Sequence, residues 1–178
     1  MRVVKGFIAI VALACSVATV SAQDVTPVPH KVENVTLKTL AGEPTTLPSF
    51  GEKNIFFFYI DPDIALGNNK NYKFSDEVEA SGVLKGENIF CYGVLNLGDT
   101  GLPRKMVRNM SAKRTAKNNA TVLDDSDHIL SKAWGLGDCN GKCALVLVNK
   151  AGELVYFEKN DLDEAGRKNF YKVIEQYR

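Results

Sequence analysis

Asn54-Ile55-Phe56-Phe57-Phe58-Tyr59-Ile60 runs straight into Asp61-Pro62-Asp63. Six consecutive apolar residues, Ile55 to Ile60, leave no polar face to turn to water. The run is short, aromatic and closed by turn residues, so it reads as a strand buried on both faces, as in the middle of a parallel-rich sheet. Ile89-Phe90-Cys91-Tyr92-Gly93-Val94-Leu95 has the same character, and so does Ala144 to Val148. Three buried strands separated by helical patterns set the architecture of the chain.

Helical spacing fills the gaps between these strands. A helix is expected from Asn69 to Leu84, with Tyr72, Val78 and Leu84 among its apolar positions. Leu102 to Ala120 reads as a second, with Pro103 suited to the first turn and Met106, Val107 and Met110 giving an apolar face. Thr121 to Asp124 is a short strand and Ser126 to Trp134 a short helix. Asn149-Lys150-Ala151-Gly152 turns the chain back into a strand at Glu153 to Phe157. Asp161 followed by Glu164 marks the start of the last helix, with Leu162, Ala165, Phe170, Val173, Ile174 and Tyr177 inward. Upstream, Val35, Leu37 and Thr39 alternate with polar residues across Asn34 to Leu40. A turn at Ala41 to Pro44 and a return at Thr45 to Leu47 make an N-terminal β-hairpin. Strands alternating with helices predict an α/β fold with a central mixed sheet flanked by helices.

The N-terminus reads as an export signal. Arg2 and Lys5 precede an apolar stretch that continues to Val20, and Val20-Ser21-Ala22 places small residues for cleavage before Gln23. A lipid-anchored alternative would use Cys15. Residues 1–22 are thus expected to be removed, 23–33 to form an extended lead-in with Pro27 and Pro29, and 34–178 to form one domain. Removing 22 of 178 residues leaves 156, enough for a real core, with 20 basic and 21 acidic side chains. That balance excludes a dedicated nucleic-acid binder. No segment after the signal is apolar enough to span a membrane.

The closing strand hairpin followed by a helix resembles the end of a thioredoxin-like fold. Leu95-Asn96-Leu97-Gly98-Asp99-Thr100, Met106 to Ser111, Val122-Leu123-Asp124-Asp125, Ala133-Trp134-Gly135-Leu136 and Ala144 to Gly152 together resemble the YtfJ family of small bacterial periplasmic proteins. The resemblance covers roughly half of the expected mature chain. It implies a thioredoxin-like fold and periplasmic residence, and it brings no settled activity with it.

A thioredoxin-type enzyme needs a thiolate at the N-terminus of its first main helix, where the helix dipole and free N–H groups lower the thiol pKa. The segment after Ile60 offers Asp61-Pro62-Asp63-Ile64-Ala65-Leu66-Gly67-Asn68-Asn69 and no cysteine. Where such proteins place a proline before the strand that follows, this chain has Lys142-Cys143-Ala144. Cys139 and Cys143, separated by the three residues Asn140, Gly141 and Lys142, are expected to form a disulfide in an oxidising compartment. The bond reads either as a loop staple or as a redox pair. Cys91 reads as an inert core thiol. His30 and His128 do not complete a zinc site with two cysteines, so no metal is expected. No cofactor motif is present. Asp61, Asp63 and Asn68 mark a binding loop at the C-terminal edge of the sheet. Arg104, Lys105 and Arg108, with Lys113, Arg114 and Lys117, form a basic run of fourteen residues without an acid, a surface for an anionic ligand or an acidic envelope partner. Asp124, Asp125 and Asp127 are expected to serve turns and caps. The sequence therefore points to an exported thioredoxin-like binding or accessory protein, with a divergent thiol-disulfide oxidoreductase using Cys139 and Cys143 as the alternative.

Overall fold

The computed structural model describes residues 25–67 and 69–178. The expected export signal at 1–22, with Cys15, and Asn68 lie outside the described residues. The expected central strand is β4 (Asn54–Ile60), the fourth of eight strands in one mixed sheet. The others are β1 (His30–Lys31), β2 (Thr36–Thr39), β3 (Pro44–Thr46), β5 (Ile89–Leu95), β6 (Val122–Asp124), β7 (Cys143–Val148) and β8 (Glu153–Glu158). Their order across the sheet is β1-β8-β7-β4-β5-β6-β2-β3. β4 runs parallel to β5 and antiparallel to β7, and β6 is parallel to β5. The N-terminal hairpin β2–β3 joins the far edge antiparallel to β6.

Burial on both faces explains the unbroken apolar runs. Ile55, Phe57 and Tyr59 of β4, Tyr92 and Val94 of β5, and Ala144, Val146 and Val148 of β7 build one core with Leu130, Trp134 and Leu136. Phe56 and Phe58, Ile89, and Cys143, Leu145 and Leu147 point the other way. They meet α1 (Lys70–Ser81) through Phe74 and Val78, and α4 (Glu164–Tyr177) through Phe170 and Ile174. α2 (Arg104–Asn118) rests on a small cluster of Val107, Leu95 and Leu97, and α3 (Ile129–Ala133) belongs to the first core through Leu130.

The structure corrects several details. Of the expected lead-in, residues 25–33 are described, and they add an edge strand: His30 and Lys31 pair with Leu154 and Glu153, and Trp134 Nε1 donates to the Glu33 carbonyl at 2.9 Å. α1 ends three residues earlier than expected, because Gly82 takes the left-handed conformation (φ 69°) that closes a helix. Pro103 stands just before α2 rather than in its first turn. The last helix is capped by Asp163, whose side chain accepts from Gly166 N at 2.8 Å. Asp161 instead accepts from Asn71 N, and Ala165 is exposed. That shift of two residues turns Leu162 into the second core from the loop.

Phe170 joins the two helices to the sheet. Its side chain is fully buried, with ring centroids 5.5 Å from Phe56, 5.4 Å from Phe74 and 5.9 Å from Tyr156. Phe170→Ala is expected to destabilise the fold by about 3–5 kcal/mol, read as a lowered urea midpoint with an unchanged slope. A loss below about 1 kcal/mol would show that α4 is not held through this ring.

Candidate functional site

Three chain segments meet where β4 ends. Asn96, just past β5, donates its N–H to the Ile60 carbonyl at 2.8 Å, and Asp61 N–H donates to the Lys142 carbonyl at 2.9 Å. No cysteine stands between the end of β4 and the start of α1, and Asp61, the first residue past β4, has a fully buried side chain. Its Oδ1 accepts from Asp63 N at 3.0 Å and its Oδ2 from Gly141 N at 2.7 Å. Gly141 is left-handed (φ 64°), which turns its N–H toward the carboxylate. Asp63 in turn accepts from Thr100 Oγ1 at 2.5 Å and Gly101 N at 2.8 Å. The Thr100 hydroxyl, helped by the Gly101 N–H, holds the Asp63 carboxyl below the usual carboxylate range. Both aspartates of the expected binding loop are thus spent on fixing loops. A 3-10 turn at Pro62–Leu66 leads into α1, whose cap Asn69 accepts from Tyr72 N at 2.9 Å.

The expected Cys139–Cys143 disulfide is not formed: all three described cysteines are free. The physical reason is the sheet itself. Cys143 starts β7 with its side chain among Leu145, Leu147 and Phe170, whereas Cys139 packs with Tyr59 and Trp134 on the opposite face. Closing the bond would require β7 to slip or its first residue to leave the ladder with Ile60. Burial pushes the Cys143 thiol up to about 12 and the Cys139 thiol up to about 11. Cys91, half-buried with its thiol toward the Leu84 carbonyl, is pushed up to about 12 by the same cause. Protonated thiols are poor nucleophiles, so none of the three is poised as an attacking group. Lys159, and after it Lys142, act against that burial at the Cys139 thiol without overcoming it.

Beside this junction lies a cavity of about 250 Å³ at the C-terminal edge of the parallel strands. Asn96, Asp99, His128 and Cys139 are among its lining residues. Asn96 is fully buried, and its amide is oriented by donation from Nδ2 to Asp99 Oδ2 at 2.6 Å. Its Oδ1 is left without a donor. Asp99 Oδ1 lies 2.9 Å from His128 Nε2. His128 has a left-handed backbone (φ 55°), rare for a side chain of this size, and its ring lies where a Cβ on Gly98 would stand. Asp125 fixes the following helix: it accepts from Ile129 N at 2.7 Å, Leu130 N at 3.1 Å and Tyr59 Oη at 3.0 Å. Burial holds the Asp125 carboxyl above the ordinary range. A second cavity of about 290 Å³ lies between the N-terminal hairpin and Asp124–Asp127. Its carboxylates are engaged: Asp124 with Arg108, Asp125 as above, and Asp127 with Lys38 at 2.7 Å. The smaller cavity therefore has the stronger claim as a ligand site, because it keeps an unpaired polar atom.

The basic run divides. Arg108 Nε donates to the buried Asp124 at 2.6 Å and its Nη2 to Ser126 Oγ at 3.1 Å, so this arginine is structural. Arg114 pairs with Asp76 at 3.1 Å and donates to Tyr72 Oη at 3.0 Å. Arg104 and Lys105 are exposed, beside the exposed Met106 and Met110. Among the described residues no cluster of histidine, cysteine and carboxylates could hold a metal, and no helix is long and apolar enough to cross a membrane. Asn96, Asp99 and His128 escaped the sequence reading as a site. Their one signal was a polar Asn directly after a buried strand.

The fold is thioredoxin-like. An exposed lipoprotein thioredoxin from Streptococcus pneumoniae superimposes with a TM-score of 0.55 at 17% identity, covering 79% of this chain and 99% of its own. BsSco, of the Sco family of cytochrome c oxidase assembly proteins, gives 0.59 at 11% identity over 87% of this chain and 97% of its own. A thiol-disulfide oxidoreductase from Bacteroides fragilis gives 0.53 at 11% identity over 82% and 99%. At such identities the likeness is one of fold. No family model matches the sequence. No curated protein matches it either.

Asp61→Ala would leave two part-buried N–H donors, those of Asp63 and Gly141, without their acceptor. It is expected to cost about 1–3 kcal/mol and to speed hydrogen exchange at the Gly141 amide. Asp61→Asn keeps one acceptor and is expected to lose less. Exchange at Gly141 that does not change in either variant would remove the clamp from the account.

Proposed function

We propose that the chain is an exported, thioredoxin-like binding or accessory protein of the bacterial cell envelope that does not use thioredoxin chemistry. The observation that carries this reading is the stretch from β4 to α1, Asp61 to Asn69, which holds no cysteine and whose Asp61 and Asp63 carboxylates are engaged by loop N–H and O–H groups. The separation of Cys139 from Cys143 by the sheet and the raised pKa of every described thiol support the same reading. The YtfJ-like stretches, which include Asn96 and Asp99, favour periplasmic residence, as do the signal-like residues 1–22. The structural neighbours are named a lipoprotein thioredoxin, a Sco protein with a disulfide switch and a thiol-disulfide oxidoreductase, so the departure from redox chemistry rests on this chain's own residues and not on its fold.

Reduction of insulin by dithiothreitol tests the non-redox reading. The protein is expected to leave the rate unchanged, and Cys139→Ser and Cys143→Ser to match wild type. Acceleration by wild type that Cys139→Ser or Cys143→Ser abolishes would put the oxidoreductase reading in its place. Export is checked separately by N-terminal sequencing of protein from the periplasmic fraction, expected to start at Gln23. Intact Met1 in the cytoplasmic fraction, or lipid on Cys15, would overturn that placement.

A further inference from the structure

α2 has little to bury. Val107 is its one buried side chain among the described residues, and the half-buried Arg108, Ser111 and Thr115 mark the side turned to the sheet. Met106, Met110, Lys113 and Lys117 recur at i, i+4, i+7 and i+11, which sets them in one stripe on the far side, and all four are exposed. Methionine is among the residues most often found inside, yet Met106 is 43% and Met110 63% exposed. The helix holds six of the 20 basic side chains of the expected mature chain and none of its 21 acidic ones, so the remainder carries 14 basic against 21 acidic. The carboxylates around α2 are spent on other groups. Asp124 holds Arg108, Asp76 holds Arg114, and Asp127, bound to Lys38, also feels Arg104. Asp63 and Asp99, in the loops before the helix, are engaged by Thr100 and Gly101 and by Asn96 and His128. Lys105, Lys113 and Lys117 are exposed and make no ion pair among the described residues.

Shape and charge together choose the partner of this face. Neither of the two cavities is lined by α2, so the stripe is the outer ridge of a helix rather than a groove that would grip a peptide. A second copy of the chain would bring like charges together on this face. A planar anionic surface needs no groove: it takes lysine ammoniums at its phosphates while the thioethers between them enter the boundary of the acyl chains. Such a surface attracts α2 and repels the remainder of the chain, which fixes the orientation. We propose that the outer face of α2 docks the protein on a membrane surface rich in anionic phospholipid, with Lys105, Lys113 and Lys117 on the headgroups and Met106 and Met110 entering below them. This rests on the envelope reading above and adds where in the envelope the protein sits.

The test is co-sedimentation with vesicles of phosphatidylcholine and with vesicles of an equimolar mixture of phosphatidylcholine and phosphatidylglycerol. The protein used lacks the signal-like residues 1–22, whose apolar stretch would itself enter a membrane. Partition into the mixed vesicles alone is expected, weakening as salt is raised. Lys113→Gln and Lys117→Gln are each expected to weaken it about fivefold. Lys172→Gln, which removes the same charge from an exposed position on α4, is expected to leave it unchanged. The methionines report on the face directly, because Met106 and Met110 are the only two in the expected mature chain. Mixed vesicles are expected to slow their oxidation by hydrogen peroxide, located by peptide mass spectrometry, and neutral vesicles are expected not to. The proposal is overturned by equal partition into both kinds of vesicle, by no partition into either, by a loss with Lys172→Gln as large as with Lys113→Gln, or by methionines that stay equally open to peroxide in the bound protein. Binding to polyglutamate without partition into the mixed vesicles overturns it too, and gives the face to an acidic protein. A chain recovered from the cytoplasm with Met1 intact overturns the envelope reading instead, whatever the vesicles do.

Discussion

Asn54 to Ile60 must be covered on both faces and paired on both edges, and the rest of the molecule is arranged to do so. All seven residues pair in parallel with β5, and six pair antiparallel with β7. The two neighbours therefore bring different ends to one place. β5 delivers its C-terminus, hence Asn96, while β7 delivers its N-terminus, hence Gly141 and Lys142, to the point where Asp61 leaves β4. A single buried strand thus assembles a junction from segments about 35 and 80 positions apart in the chain.

At that junction Asp61 limits what the edge can do. A carboxylate with both oxygens bonded to backbone N–H groups is a structural fixture, and it rigidifies the loop that carries Cys139. The thiols cannot compensate. Strand residues alternate faces, so Cys143 is committed to the side of α1 and α4 by the same register that places Ala144 and Val146 beside Cys139. With no cysteine after β4 and the two later thiols on opposite faces, the polar groups left at this edge gather one strand over, at the cavity lined by Asn96, Asp99 and His128.

The buried strands were legible because an unbroken apolar run has only one comfortable place, and the empty cysteine position was legible because it needed only that strand's end. Other features depended on distance. The spacing of Cys139 and Cys143 fits a disulfide, but spacing carries no information about which face each side chain takes. Asp161 and Asp163 are both plausible caps by sequence, and the packing of Leu162 into the core decides between them. His128 and Asp99 are 29 positions apart and meet only because β6 lies parallel beside β5. The hairpin, read from alternation alone, was correct, yet nothing local showed that it would attach to β6.

Adjacent carboxylates at the end of β6 explain how so short a helix as α3 can hold the cavity wall. Asp124 and Asp125 are both buried, and each requires its own compensation. Asp124 is neutralised by Arg108, which also ties α2 to the sheet where only Val107 packs deeply. Asp125 has no cation and is satisfied by the Tyr59 hydroxyl and two N–H groups of α3. Those bonds cap a five-residue helix that could not form alone. They also leave His128 between Asp125 and the helix, where the left-handed turn directs its ring over Gly98 and onto Asp99. The orientation of Asn96, which Asp99 sets, and the missing donor at its Oδ1 thus trace back to the way one buried carboxylate at the end of β6 was satisfied without a charge.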